Sequence, residues 1–468
     1  MARTDTVIKI LPGERFTPYT LARKLNAVAV LESSSFHKGR ERYSLLMIKE
    51  AFRLEQRGRE LAIWIGKKRR VVKSDVKDIL DVMLYFANQH SQPHQDFPFP
   101  AGGIGYLSYE FAAYCDTIRM TQKRDPLNLP DAAFLYGHVY IVFDHYTDLI
   151  YLIGLNYNEH EVNLSAELKK IEKEITDLNF NYLQPEDATK APAVSSSSDE
   201  KEWYEQGVRD IQSEIVKGNL LQAVLSRRVE IETDLPALEA YRRLRTANPA
   251  PYLFYLNFGA YELFGSSPEV HVKLKEDHVT IRPIAGTRRR GADRAEDLAL
   301  EKELLADEKE QAEHLMLVDL ARNDIGRVCV PGTVQVTASS VVERYSHVMH
   351  IVSQVEGTIS EGKTGADLIR ATFPAGTVSG APKIRAIEVL DRIEQVPRRF
   401  YSGLVGYMEP GGGVDTCITL RTGLKMGQKM VLQAGAGIVY DSQPEREYVE
   451  TQEKLAALVR AAGVEVDL

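Results

Sequence analysis

AVLSRRVEIET (223–233) and PYLFYLNFGAYELFG (251–265) read as strand-like segments, and what surrounds them decides the fold. Before them, Tyr204, Val208, Ile211 and Ile215 step by four, three and four. That is the spacing of one helix face, with Ser198 or Asp199 as N-cap and Gly218 just past the end. After them a helical stretch spans roughly 296–322, and QKMVLQAGAGIVY (428–440) reads as a strand with a glycine break. A last helix runs from about Pro444 to Ala462, with proline in its first turn. Upstream, YLSYEF (106–111) and LYGHVYIVF (135–143) are strand-like, the latter apolar and β-branched enough for a buried strand. Strands and helices mix without strict alternation. The expectation is α+β with large antiparallel sheets, not a doubly wound fold.

Composition bounds the rest. The 468 residues have room for two or three average domains or one large composite one. Apolar residues at 44% and charged residues at 26% exclude disorder throughout, collagen-like repetition and a coiled-coil rod. A net charge of −8 argues against a nucleic-acid partner. Cys115, Cys329 and Cys417 are too few and too scattered for a disulfide framework or a zinc site. MARTDTVIKILPGERF lacks the apolar core of a signal peptide, and no stretch has the roughly 18 uninterrupted apolar residues of a membrane span. A cytoplasmic protein is expected. The clearest seam is QPEDATKAPAVSSSSDE (184–200), a linker or long surface loop between a region at 1–183 and one at 201–468. The glycines of AGGIGYLSYE (101–110) suggest tight backbone packing rather than a phosphate loop.

Several constellations could carry chemistry. Glu310 and Glu313 lie three apart on one predicted helix, and Glu447 and Glu450 repeat that spacing on the last one. Four facing carboxylates would repel unless a cation sat between them, and oxygen-only ligands suit Mg²⁺. The alternative is two solvated helix faces. In RPIAGTRRRG (282–291), Gly286 and Thr287 could present donors to an anion, with Arg288, Arg289 and Arg290 supplying charge; a basic surface turn is the alternative. Gly435-Ala436-Gly437 lets a ligand carboxylate approach backbone amides, and Arg421 could take one bidentately or form a surface salt bridge. Thr377 and Ser379, in FPAGTVSGAPKIRAIEVL (373–390), could line a cleft or cap a helix. His350, on the apolar run YSHVMHIVSQVEG (345–357), could be catalytic or a satisfied core histidine.

PIAGTRRRG, AEHLMLVDLARNDIGRV, HVMHIVSQVEG, FPAGTVSGAPKIRAIEVL and GAGIVYDSQPEREYVETQEK occur here in the order seen in the chorismate-utilising enzymes. The chain resembles that family over essentially all of 200–468 and more loosely before it. The resemblance implies a β-sandwich-like core flanked by helices. It also implies Mg²⁺ on Glu313 and Glu450, with Glu310 and Glu447 acting directly or through bound water. Gly286, Thr287, Tyr401, Arg421, Gly435, Ala436 and Gly437 match substrate-binding positions. Glu269, in GSSPE, matches the acid that helps the C4 hydroxyl of chorismate depart; His350 and Thr377 match residues near the ring, with His350 linked to pyruvate elimination.

Two residues discriminate within the family. Isochorismate and salicylate synthases place a lysine where this chain has Gln222, and a neutral amide cannot activate water. Ammonia becomes the expected attacker. Familiar aminodeoxychorismate synthases read PIKGT, where Ala285 here offers no nucleophile. The resemblance therefore lies closest to anthranilate synthase component I. Aminodeoxychorismate formation by a lysine-free route, or a non-catalytic binder of chorismate or tryptophan, are the alternatives. LSRR after Gln222 instead resembles the oxygen-adding branch. LESS (31–34), with Ser33, and NPAPYLFY (248–255), with Pro251, Tyr252 and Leu253, resemble the two walls of a tryptophan-feedback pocket, or else packing between the two halves. No cysteine sits in a glutaminase nucleophile motif, so ammonia would come from a glutamine amidotransferase subunit in a hetero-oligomer.

Overall fold

The hairpin within 251–265 lies at the centre of the longer of two antiparallel ladders. The computed structural model describes residues 6–35, 39–40, 42–73, 75–91, 97–177, 179–181, 188, 192–195, 199–345 and 348–464. Tyr252–Asn257 pairs with Glu262–Ser267, and on that side follow Thr422–Met426, Lys429–Ile438, Gln222–Glu232 and the short Ala193–Ser195. On the other side follow Ala29–Glu32, Tyr43–Arg57, Ala132–Asp144, Leu149–Leu155 and Thr6–Pro12. The second ladder runs Ile104–Leu107, Leu404–Met408, Val414–Ile418, Val270–Lys275, His278–Ile281 and Val348–Thr358. Its last strand also pairs with Ile284–Arg289 and Gln335–Arg344. The two ladders join at Ala132–Asp144, whose first residues pair with Ile104–Leu107.

Strand alternation sorts the side chains into layers. Phe254, Leu256, Leu263 and Val431 of the first ladder share one apolar core with Val272, Leu274, Val355 and Leu404 of the second. Their chain neighbours Leu253, Tyr255, Phe264 and Leu432 point the other way, into a core closed by helices through Leu21, Tyr241, Leu244 and Leu455. Two sheets and a helical layer result, the α+β architecture expected. Helix Asp199–Val216 buries Tyr204, Val208 and Ile211, and Gly218 beyond its end has φ +76°. Its start makes Asp199 a helical residue; Ser198 lies outside the described residues. A methyl on Gly105 would stand 2.0 Å from the Ala133 carbonyl oxygen, the tight packing expected of that segment. Among the described residues no helix is long and apolar enough to cross a membrane.

Three local expectations are corrected. The helical stretch at 296–322 is two helices, Arg294–Ala306 and Glu308–Gly326, because the Asp307 carboxylate accepts from the Lys309 and Glu310 N–H groups and caps the second. The strand at 428–440 is continuous over Lys429–Ile438, its glycines lying within the ladder. Of the stretch read as a linker, 184–187, 189–191 and 196–198 lie outside the described residues, whereas Ala193–Ser195 forms an edge strand against Glu230–Glu232. Main-chain pairing makes that strand, so no apolar period announces it.

Candidate active site

Val224 stands opposite Gly437, and Ser226 opposite Gly435, on the paired strands Gln222–Glu232 and Lys429–Ile438. A methyl on Gly435 would meet the Leu225 carbonyl oxygen at 2.7 Å and the Tyr401 hydroxyl at 3.1 Å; one on Gly437 would meet Gln222 Nε2 at 2.7 Å. Glycine is required at both positions because Tyr401 and Gln222 pack directly onto the strand there. Ala436 between them turns the other way and packs its methyl with Tyr204 and Leu225, so only its main chain faces the site. Gln222 donates to Glu313 Oε1 at 3.0 Å. Tyr401 is buried, and desolvation pushes its phenol up to about 12 against the pull of Arg398.

Glu310 and Glu313 project from Glu308–Gly326, and Glu447 and Glu450 from Pro444–Ala461. Burial, reinforced by Glu313, holds Glu310 above the ordinary carboxylate range, while Arg288 pulls it down. Burial and Glu450 do the same to Glu447, against Ser442 and Lys309. Lys309 begins the other glutamate helix, so that helix's start lies within electrostatic reach of Glu447. Arg288 Nη1 donates to Glu310 at 3.2 Å, and Lys454 Nζ pairs with Glu450 at 2.7 Å while donating to the Gly435 carbonyl at 3.0 Å. Among the described residues no three carboxylate, imidazole or thiol groups converge to hold a metal. The carboxylates turn instead to Arg288, Gln222 and Lys454. Their chemistry nonetheless fits a hard divalent cation: the donors are all oxygen, and each pair carries a carboxylate repulsion that a cation would relieve.

Glu269 is buried beside the turn Gly376–Val378, and desolvation raises its carboxyl to about 7 against weaker pulls from Thr377 and Lys454. Thr377 faces it with a buried hydroxyl that has no well-formed partner among the described residues. The two line a cavity of about 30 Å³, with Leu317, Ala321 and Gly376. That is about one water. The Ser379 hydroxyl donates to the Ala375 carbonyl, and Ser379 is the C-cap of the 3-10 turn Gly376–Val378.

His350 Nδ1 lies 2.9 Å from the Gly286 carbonyl and 3.1 Å from the Thr287 hydroxyl. A carbonyl only accepts, so Nδ1 carries the proton and Nε2 keeps its lone pair. Burial lowers His350 to about 4. Gly286 has φ +63°, and a methyl there would come within 3.2 Å of Glu310 Oε2. Arg421 is held at φ +47°, a backbone region arginine rarely adopts. Its only side-chain partner among the described residues is Asn248 Oδ1 at 3.0 Å. Arg421 and Lys454 both act electrostatically on His350, which places these groups around one centre. The three adjacent arginines are not free for an anion. Arg288 pairs with Glu303, Asp307 and Glu310, Arg289 with Glu296, and Arg290 with Asp297.

The two segments read as feedback walls lie side by side. Glu32 is opposite Leu253, and the Ser34 N–H donates to the Ala250 carbonyl at 3.2 Å. Ser33, Pro251 and Tyr252 are half-buried, Leu253 is buried, and Tyr252 donates to Asp415 at 2.7 Å.

Sequence reasoning missed Lys454, Asn248 and Arg398. Lys454 is legible as the i+4 partner of Glu450. Asn248 and Arg398 had no local signal, because each acts across the fold. Arg398 is fully buried, pairs with Glu394 at 2.7 Å and donates to the Val378 and Val224 carbonyls, fixing the Thr377 turn to the glycine face.

The chain shares its sequence and fold with known proteins. The chorismate binding enzyme family matches residues 44–460. The chain is 60% identical over 467 residues to anthranilate synthase component 1 of Spirochaeta aurantia, covering 99% of this chain and 96% of the relative. It is 42% identical to the same component of Acetivibrio thermocellus, covering 85% and 81%. Among solved structures, anthranilate synthase component I from Streptococcus pneumoniae TIGR4 superposes with a TM-score of 0.79 at 35% identity, covering 89% of this chain and 92% of that one.

Proposed function

The chain belongs to the chorismate-binding enzymes, and we propose that it converts chorismate and ammonia to anthranilate and pyruvate, the entry to tryptophan biosynthesis. The observation that carries this reading is Glu269: a desolvated carboxyl with a pKa raised to about 7, lining one cavity with Thr377.

Chorismate carries two carboxylates and loses hydroxide, a poor leaving group. Arg421 binds a carboxylate, since its desolvated guanidinium has only an amide for a partner. The main chain at Gly435–Gly437, Gly286 and Thr287, with Tyr401, shapes the remaining wall. Glu313 and Glu450, with Glu310 and Glu447 directly or through water, would hold Mg²⁺, which supplies positive charge to grip the ring carboxylate and promote departure at C4. Glu269 donates its proton to the C4 hydroxyl, which leaves as water as the two ring π bonds shift toward C4. The nitrogen lone pair of ammonia forms the bond at C2, and the resulting ammonium releases one proton to solvent. Gln222, donating to Glu313, leaves no base to activate water, so the amine wins. In the second step the C2 proton goes to a base, the C3–O bond breaks, and the enolpyruvyl group departs as pyruvate. His350 Nε2 is the available lone pair, and Thr377 orients the ring.

Residues 201–468 would supply the chorismate site, and 1–183 would contribute Ser33 to a tryptophan-feedback pocket closed by Pro251, Tyr252 and Leu253. A glutamine amidotransferase subunit would deliver ammonia. In support, burial raises the thiols of Cys115, Cys329 and Cys417, the reverse of a nucleophile.

The test is mass-resolved product analysis of the purified chain with chorismate, Mg²⁺ and ammonium at mildly alkaline pH. Anthranilate plus pyruvate is expected, and none with glutamine replacing ammonium. A 4-amino product retaining the enolpyruvyl ether would overturn the reading.

A further inference from the structure

One pair beyond Ser226 and Gly435 on the same sheet face, Arg228 of the LSRR run stands opposite Gln433. Both line a separate cavity of about 500 Å³ that opens to solvent, with Trp203, Glu200, Ser226 and Glu394. Most of its charges are already neutralised, Arg227 by Glu200 at 2.9 Å and Glu394 by Arg398 at 2.7 Å. Ser226 donates its N–H and its hydroxyl to Glu394 at 3.0 and 2.8 Å. With its proton so committed, the Ser226 oxygen can only accept from the Gln433 amide nitrogen at 2.9 Å. This fixes the orientation of the Gln433 amide, and its Oε1 is buried with no partner.

Arg228 is orphaned in the complementary sense. Its Nη2 donates to the Pro397 carbonyl at 2.8 Å, while Nε and Nη1 are buried without a partner. Buried N–H groups on a cation are costly to leave unpaired, and a charge is best met by a charge. The cavity thus offers a cation, a fixed carbonyl acceptor and an indole face, in a volume suited to a small molecule.

We propose that this cavity binds a small amino-carboxylate, its carboxylate on Arg228, its N–H donor on Gln433 Oε1 and its apolar body against Trp203. Free amino acids and aminobenzoates share that chemistry. The site stands whether or not the chain makes anthranilate.

Calorimetric titration of the full chain with L-glutamine, L-tryptophan and anthranilate tests it and separates the sources. At least one is expected to bind with a component that Arg228→Met weakens tenfold or more and Arg228→Lys largely retains. Gln433→Leu should weaken the same component while leaving benzoate, which has no N–H donor, unaffected. Should Arg228→Met fail to fold, Trp64→Phe leaves Trp203 as the single tryptophan of the chain, and a saturable change in its emission with glutamine supports the site. Binding identical in wild type and both Arg228 variants, or no binding of any probe at millimolar concentration, overturns the proposal.

Discussion

Gln222 gives its side-chain N–H to Glu313 Oε1 at 3.0 Å, so the residue proposed to favour amine over water is bonded to a proposed metal ligand. Gln222→Lys would set an ammonium against that carboxylate. The Mg²⁺ concentration for half-maximal activity should rise by roughly 10–100-fold, the usual effect of losing a partner of a ligand. A metal titration at saturating chorismate checks this.

Glu269 makes two linked predictions. As the acid it must be protonated, so activity at fixed free ammonia should fall tenfold per pH unit above about 7, and Glu269→Gln should lower kcat by roughly 10²–10⁴ and erase that limb. Stability moves with the same sign. Below the unfolded pKa near 4.5 both states are protonated; as pH rises to about 7 only the unfolded state ionises, which costs the fold about 3 kcal/mol at most. Glu269→Gln should therefore raise Tm more at pH 8 than at pH 5.

His350, lowered to about 4 and bonded through Nδ1 to Gly286, stays neutral throughout the working range. His350→Ala should leave amination largely intact and stall pyruvate loss, so mass analysis should find an amino product retaining the enolpyruvyl group. The wild-type profile should show no histidine inflection between pH 6 and 9.

Arg421 is half-buried with one neutral partner, and desolvation lowers its guanidinium. Arg421→Met should raise the chorismate KM by roughly 10–100-fold, the loss of a charge-assisted hydrogen bond, with a smaller change in kcat. Steady-state kinetics across chorismate concentrations separates the two.

Ser33 is half-buried where the Ala29–Glu32 strand leaves its pairing with Tyr252–Asn257. Ser33→Phe should shift the tryptophan inhibition curve to at least tenfold higher concentration while leaving KM for chorismate unchanged. An unchanged curve removes the pocket from this place.

Much of this was legible because periodicity and turn chemistry are local. The faces of Asp199–Val216 and Pro444–Ala461 and the alternation within 251–265 follow from the spacing of apolar residues. What could not be read depends on distant partners. The break at Asp307 hides in an acidic run that contains no glycine or proline, and only its bonds to the Lys309 and Glu310 N–H groups reveal the cap. Gly435 and Gly437 look like a strand breaker until Leu225, Tyr401 and Gln222 occupy the space their side chains would need. Asn248 joins Arg421 across 173 positions of sequence.

The first ladder places Ala29–Glu32 between Tyr43–Arg57 and Tyr252–Asn257, and the second places Leu404–Met408 between Ile104–Leu107 and Val414–Ile418. Each half of the polypeptide supplies the hydrogen-bonding edge that the other lacks. A backbone nick within 184–200 would leave a noncovalent heterodimer that co-migrates on size exclusion, and fragments 1–183 and 201–468 should reconstitute activity only when refolded together.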